Sequence, residues 1–105
     1  MGQLVRNRRP SHPGAILRAH YLEPRGVGIG ELAAAIEVSR KHLSQVVNGH
    51  KRVEPALAAR LAKALGTTAQ FWLNLQSAVD AWDAVAAAAA WRPGREFPPP
   101  ASAAA

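Results

Sequence analysis

Residues 29–49 read IGELAAAIEVSRKHLSQVVNG, and this stretch decides the fold. Leu32, Ala33 and Ile36 recur at helical spacing and predict one short helix. The turn falls at Glu37-Val38. Ser39 follows as an N-cap, because its hydroxyl accepts from a backbone N–H that has no partner inside the helix. The second helix places Leu43, Val46 and Val47 inward and leaves Arg40, Lys41, His42, Ser44 and Gln45 on its outer face or first turns. Asn48-Gly49 ends it with residues that tolerate a left-handed backbone. A helix pair whose second member exposes Arg, Lys, Ser and Gln near its start has what a helix-turn-helix DNA reader needs. Such a helix lies in the major groove and touches base edges with its N-terminal residues. Two amphipathic helices joined by a tight turn also occur in small all-α domains that never meet DNA, so these residues alone leave both readings open.

The chain has 105 residues, enough for one domain with a modest core. Its 49% apolar content is inflated by alanine, so the core must come from Leu, Ile and Val with three Trp. The formal net charge of +6 favours a polyanion partner, nucleic acid or an anionic membrane, and says nothing about fold. Arg40, Lys41, Lys51 and Arg52 lie close together with no acid among them, and Arg6, Arg8 and Arg9 form a second cluster. A solvated basic face kept for solubility would look the same. Cysteine is absent, which excludes disulfides and thiolate metal sites and fits a cytosolic protein. The N-terminus, MGQLVRNRRP, lacks the apolar run of a secretory signal. No stretch reaches the ~18 apolar residues of a membrane span, so no membrane partner is expected.

Along the chain, residues 1–11 read as a flexible basic arm. A first helix is expected from Pro13, with Ile16, Leu17 and Tyr21 on its apolar face, ending at Leu22-Glu23 before Pro24. Gly28 or Gly30 must cap the next helix. A fourth helix opens with Pro55, buries Leu57, Ala58, Leu61, Ala62 and Leu65, and stops at Gly66. Thr67 and Gln70 are spaced as a capping box for the longest helix, expected to reach about Ala90. Phe71, Trp72 and Leu75 should close the core. Trp72, Leu75, Val79, Trp82 and Ala86 then alternate by three and four, a short coiled-coil-like seam. Val79, Trp82 and Val85 are the expected homodimer contacts over an 81–91 extension, since a small core leaves Trp82, Val85 and Trp91 to be covered from outside. Pro93-Gly94 ends any helix, and residues 92–105 form a Pro/Ala-rich tail.

The motifs resemble a known family. They are His12-Pro13-Gly14, Leu22-Glu23-Pro24, Glu31-Leu32-Ala33, Val38-Ser39-Arg40, Val47-Asn48-Gly49, the run from Arg60 to Thr68, and Phe71-Trp72-Leu73-Asn74-Leu75-Gln76. Their order resembles the Xre-type helix-turn-helix of phage repressors, and more specifically the HigA/VapI antitoxins, over about residues 12–80. The resemblance implies an all-α, five-helix, lambda-repressor-like domain with an extended C-terminal helix. It implies a dimer on palindromic operator DNA that represses its own operon and neutralises a HigB/RelE-like mRNA-cleaving toxin in the cytoplasm, on the nucleoid. Two departures stand out. Glu37 occupies the turn position where many such motifs have Gly, and Gly28-Ile29-Gly30 replaces the polar start that often holds a phosphate.

By position in the motif, Arg40, Lys41 and Gln45 resemble the base readers, and their chemistry agrees: Arg and Lys suit guanine O6 and N7, Gln suits adenine N6 and N7. Ser39, His42, Ser44, Asn48, Lys51 and Arg52 are the phosphate or auxiliary set, helped by the helix start at Ser39. Toxin contact is expected first from Leu4 and Val5 of the N-terminal segment, packing beside the first helix, with the stretch from Trp91 to Phe97 as the other candidate. His12, His20, His42 and His50 have no partner at metal-ligand spacing, Glu23, Glu31 and Glu37 are scattered singly, and there is no Gly-rich phosphate loop or activated nucleophile. No metal, cofactor or catalytic residue is therefore expected. The alternatives are a solitary Xre-type regulator without a toxin, and a protein-interaction module whose basic helix masks an acidic or RNA-binding partner.

Overall fold

The computed structural model describes residues 8–100, which are all-helical. Helix α1 starts where Pro13 predicts. His12 caps it, its Nδ1 accepting from the Gly14 N–H at 2.9 Å. The α-helical part covers only Pro13–Ile16; a π-helical turn, Leu17–Leu22, and a 3-10 turn, Glu23–Arg25, follow. The expected plain helix is thus replaced, and Pro24 is the reason. It has no N–H to return to the His20 carbonyl, so the register slips and the Glu23 N–H reaches back to the Arg18 carbonyl. Pro24 sits inside the 3-10 tail, which Gly26 closes with φ 63°.

Helix α2 spans Ile29–Ile36 and α3 spans Arg40–Val47. Gly28 caps α2 without a side-chain bond. Glu37 ends α2 at φ 61°, the one positive φ on a non-glycine among the described residues. That left-handed backbone costs an L-residue roughly 1–2 kcal/mol. Arg60, from the helix after α3, offsets it, Nη1 donating to the Ile36 and Glu37 carbonyls at 2.9 and 3.0 Å. Ser39 caps α3 as expected, accepting from the His42 N–H at 3.0 Å.

Helix α4 spans Pro55–Leu65 and stops at Gly66, φ 72°. Helix α5 spans Ala69–Ala87, shorter than expected, and its cap is displaced by one residue. Thr68, not Thr67, accepts from the Phe71 N–H at 3.0 Å. Thr67 is engaged elsewhere: Trp72 is fully buried, and its indole N–H needs an acceptor, which Thr67 Oγ1 supplies at 2.7 Å. Gln70 bonds Asn74 instead of closing the box.

The core gathers Leu17 and Leu22 from the first segment, Leu32, Ala33 and Ile36 from α2, Leu43, Val46 and Val47 from α3, Leu57, Ala58 and Leu61 from α4, and Trp72 from α5. Each fully buried Leu or Val contributes about 1.5–3 kcal/mol. Phe71 and Tyr21 stack edge-on and tilted against Trp72, with centroids 4.9 and 5.3 Å away. Among the described residues, no helix is long and apolar enough to cross a membrane.

Candidate nucleic-acid interface

Helix α3 is held as a rigid unit because three apolar residues at helical spacing, Leu43, Val46 and Val47, are buried on one side. Its other side is presented by the same periodicity. Lys41 and Gln45 are four apart, as are Ser44 and Asn48, so the four form one outward stripe. Arg40 leaves from the edge of that stripe and lies across α2. A Cβ on Gly30 would stand 3.3 Å from Arg40 Nε, so the bare Gly30 backbone makes room for the guanidinium stem. His42 is half-buried, and Ser39 is exposed at the cap.

The first segment fixes the height of α3. A Cβ on Gly14 would overlap the Val46 carbonyl oxygen and stand 2.9 Å from Val47 Cα, so α1 and α3 touch backbone to backbone there. This contact explains the His-Pro-Gly opening: the His cap and Pro start the helix, and the Gly lets it lie on α3. Arg18 adds a link that the sequence pattern gave no sign of, Nη2 donating to Asn48 Oδ1 at 2.8 Å. Asn48 in turn donates to Ser44 Oγ at 3.4 Å. Ser44, Asn48 and Arg18 are therefore one polar chain, with Ser44 and Asn48 inside the outward stripe and Arg18 at its side.

After α3, Gly49 takes φ 81° and the chain turns into the basic loop, where the His50 and Lys51 N–H groups return to the Gln45 carbonyl at 2.8 and 3.2 Å. Val53 anchors the far end. It is 1% exposed, and its N–H donates to Gln76 Oε1 at 2.8 Å. Among the described residues Gln76 is the one buried polar side chain, 4% exposed, and its Nε2 donates to Asp80 Oδ1 at 3.0 Å. Asp80 grips Arg52 through two bonds, of 3.0 and 2.6 Å, and Glu54 approaches the same guanidinium at 3.4 Å. The Arg52 bonds, followed by the Gln76 bond, hold the Asp80 carboxyl below the usual carboxylate range. Among the described residues, Arg40, Lys41 and Lys51 make no salt bridge, whereas Arg9 and Arg52 do. The acid-free basic cluster of the sequence thus acquires acids from α5 in space.

His12 borders the loop: a Cβ on Gly49 would stand 3.9 Å from its Cγ. Burial lowers its pKa, the Arg9 charge lowers it further, and hydrogen bonding to the Lys51 backbone opposes both. Within the expected basic arm, Pro10 is buried and Arg9 holds Asp83 through two bonds of 2.8 Å, while Arg8, Arg9 and Ser11 are exposed. Leu4, Val5 and Arg6 lie outside the described residues.

The expected dimer seam needs one correction. Val79 is 2% exposed, turned into the chain's own interior, because α5 still rests on the domain at that turn. Trp82 is half-buried and Val85 is 72% exposed. With Pro10 and the small faces of Ala78, Ala81, Ala86 and Ala89 they line an apolar groove of about 530 Å³. Among the described residues no cluster of His, Cys, Asp and Glu could hold a metal ion.

The helix-turn-helix family pattern matches residues 20–72. The chain is 46% identical over 76 residues to the Vibrio cholerae antitoxin HigA-1, covering 72% of this chain and 71% of that protein. It is equally identical over 76 residues to the Escherichia coli K12 HTH-type transcriptional regulator YbaQ, covering 72% and 67%. The fold superposes on the Pseudomonas aeruginosa antitoxin HigA, solved with the higBA promoter, with a TM-score of 0.75 at 37% identity over 77% of this chain and 88% of that one. These are DNA-binding antitoxins and regulators, not enzymes. The chain belongs to the Xre-type helix-turn-helix family, alongside the HigA antitoxins and the HTH-type regulators that share its sequence and fold.

Proposed function

We propose that this chain is an antitoxin that binds operator DNA as a homodimer, represses its own operon and neutralises a RelE-like, mRNA-cleaving toxin in the cytoplasm. The observation that carries the DNA reading is the outward stripe of α3, four polar side chains on a helix locked by its buried face. Lys41 and Gln45 read base edges from the centre of that stripe, and Arg40 reads from its rim. Ser39, His42, Ser44, Asn48 and Lys51 hold phosphates, with Arg18 joining through Asn48. Arg52 starts from a different position, since Asp80 already holds it. The P. aeruginosa relative solved with its promoter supports this reading.

The dimer rests on Trp82 and Val85 and the groove around them, without Val79. A two-fold pair sets two α3 helices on successive major-groove faces, about 34–36 Å apart. For the toxin, the stretch from Trp91 to Phe97 is the better-supported surface: Trp91 is 66% and Phe97 74% exposed. Ordering such a segment on a partner costs entropy, which its aromatic burial offsets.

The test is co-expression with the product of each neighbouring reading frame. Growth rescued by the full chain, and lost when residues 92–105 are removed, supports the antitoxin reading and its surface. A neighbouring toxin neutralised equally well without residues 1–11 and 92–105 overturns the surface. The regulators among the relatives favour one alternative, a solitary DNA-binding regulator. That reading stands if no neighbouring frame is toxic and operator binding persists.

A further inference from the structure

Asp80 and Asp83 lie three apart on α5, neighbours on one helix face. Each holds an arginine from a different part of the chain by a two-pronged bond: Arg52 on Asp80 at 3.0 and 2.6 Å, Arg9 on Asp83 at 2.8 and 2.8 Å. A guanidinium uses the same planar fork to grip a carboxylate or a phosphate, so an arginine held this way is occupied. Both arginines border the basic loop. Arg52 follows Lys51 directly, and Arg9 stands three residues before His12, whose Cγ would lie 3.9 Å from a Cβ on Gly49 at the start of the loop. Both pairs are half-exposed, with side-chain exposures of 49 and 52% for Arg9–Asp83 and 49 and 41% for Arg52–Asp80, so a phosphate reaches the guanidinium edge. Asp80 is fixed from behind: Gln76 donates to it and is itself buried and tied to the Val53 N–H. Asp80 cannot follow Arg52 outward. A phosphate that takes Arg52 leaves a bare carboxylate facing the DNA.

We propose that Asp80 and Asp83 are a brake on DNA binding, holding Arg52 and Arg9 off the phosphates flanking the recognition helix and setting affinity and its salt dependence below what the basic side chains allow. The inference rests on the DNA-binding reading above. A brake of this kind limits residence on non-specific DNA, where charge supplies nearly all of the binding.

The experiment is a salt series of duplex affinities by fluorescence anisotropy on the full chain, using a duplex that the wild type retains. Asp80→Asn removes the charge and keeps an acceptor for Gln76. It should raise low-salt affinity several-fold and steepen the slope of log affinity against log salt by about one. Asp83→Asn should do the same through Arg9. Adding Arg52→Ala to Asp80→Asn should return the slope to the wild-type value. Glu23→Gln removes the same charge from an acid that makes no salt bridge among the described residues, and should leave the slope unchanged. Matched melting curves confirm that each variant folds. A slope unchanged or shallower in both Asn variants overturns the brake. So does a gain that survives Arg52→Ala, because Arg52 is then not the group whose release raised the affinity. A wild type that binds no duplex at any salt concentration is a separate failure, that of the DNA-binding reading itself.

Discussion

Replacing Gly14 with alanine tests how α3, the proposed recognition helix, is held. The new Cβ would overlap the Val46 carbonyl oxygen and stand 2.9 Å from both Val46 C and Val47 Cα. All three atoms are α3 backbone, so no side chain can swing aside. Carbon atoms rest about 3.5–4.0 Å apart, so α1 and α3 must separate by roughly 1 Å. Overpacking of this kind costs about 1–3 kcal/mol. Gly14 lies in the first turn of α1, so alanine returns only a fraction of the about 0.8–1 kcal/mol of interior helix propensity, and the net loss is about 1–2 kcal/mol. At about 4–8 °C per kcal/mol for a domain of this size, the melting temperature should fall by roughly 4–16 °C. Operator affinity should fall further than the folded fraction accounts for, because the displaced element carries the stripe that we propose reads DNA. Thermal melts by circular dichroism and anisotropy on one preparation measure both. Gly28→Ser is the control: its site is open, and the new hydroxyl caps α2, for a gain of a few tenths of a kcal/mol. A Gly14→Ala protein that melts with the wild type would refute the close approach.

Trp82→Asp should give monomers that bind an operator poorly, while Val79→Ala should lower melting temperature without changing the sedimenting species; a wild type that sediments as a monomer at micromolar concentration sinks the dimer. Gln76→Leu strands the buried Val53 N–H and should cost about 1–3 kcal/mol in denaturant unfolding, and an unchanged midpoint contradicts the anchoring role. His12 has a folded pKa below its ordinary value of 6.5, so the folded state disfavours its proton. Stability from this residue is then present above that value and declines as pH falls through it, down to the folded pKa. Wild-type melting temperature should drop between pH 8 and pH 5.5 more than that of His12→Asn, whose cap does not titrate (about 6.5 being the midpoint of a free imidazole). Equal drops would show that His12 is not the group responsible.

The helix-turn-helix was legible because its signals are local. Ser39 names the start of α3, Asn48-Gly49 its end, and the spacing of Leu43, Val46 and Val47 its buried side. Pro13 and Gly66 marked helix ends for equally local reasons. The misses are long-range. Nothing near Thr67 states that Trp72 will claim its hydroxyl, which moves the α5 cap to Thr68. Pro24 could be read as a stop, but the π turn that accommodates it depends on Leu17 and Leu22 both reaching the core. Arg52 looked free because its acid lies 28 residues away on α5, and Arg9 looked free because its acid lies 74 away. Periodicity placed Val79 on the same stripe as Trp82, but not the point at which α5 leaves the domain. One signal was present and unused: Gln76 and Asp80 are four apart, a spacing that lets them bond on a helix.

The central claim is that α3 reads DNA sequence, and selection from a random-duplex pool, run in parallel with the wild type and Gln45→Ala, tests it most directly. The wild type should enrich a palindromic motif. Gln45→Ala should bind that motif about 1–3 kcal/mol more weakly and lose preference at one symmetric pair of positions, adenine-containing if Gln45 pairs as its chemistry dictates. Recovery of no enriched motif by the wild type, or of an identical motif at equal affinity by both proteins, would contradict it.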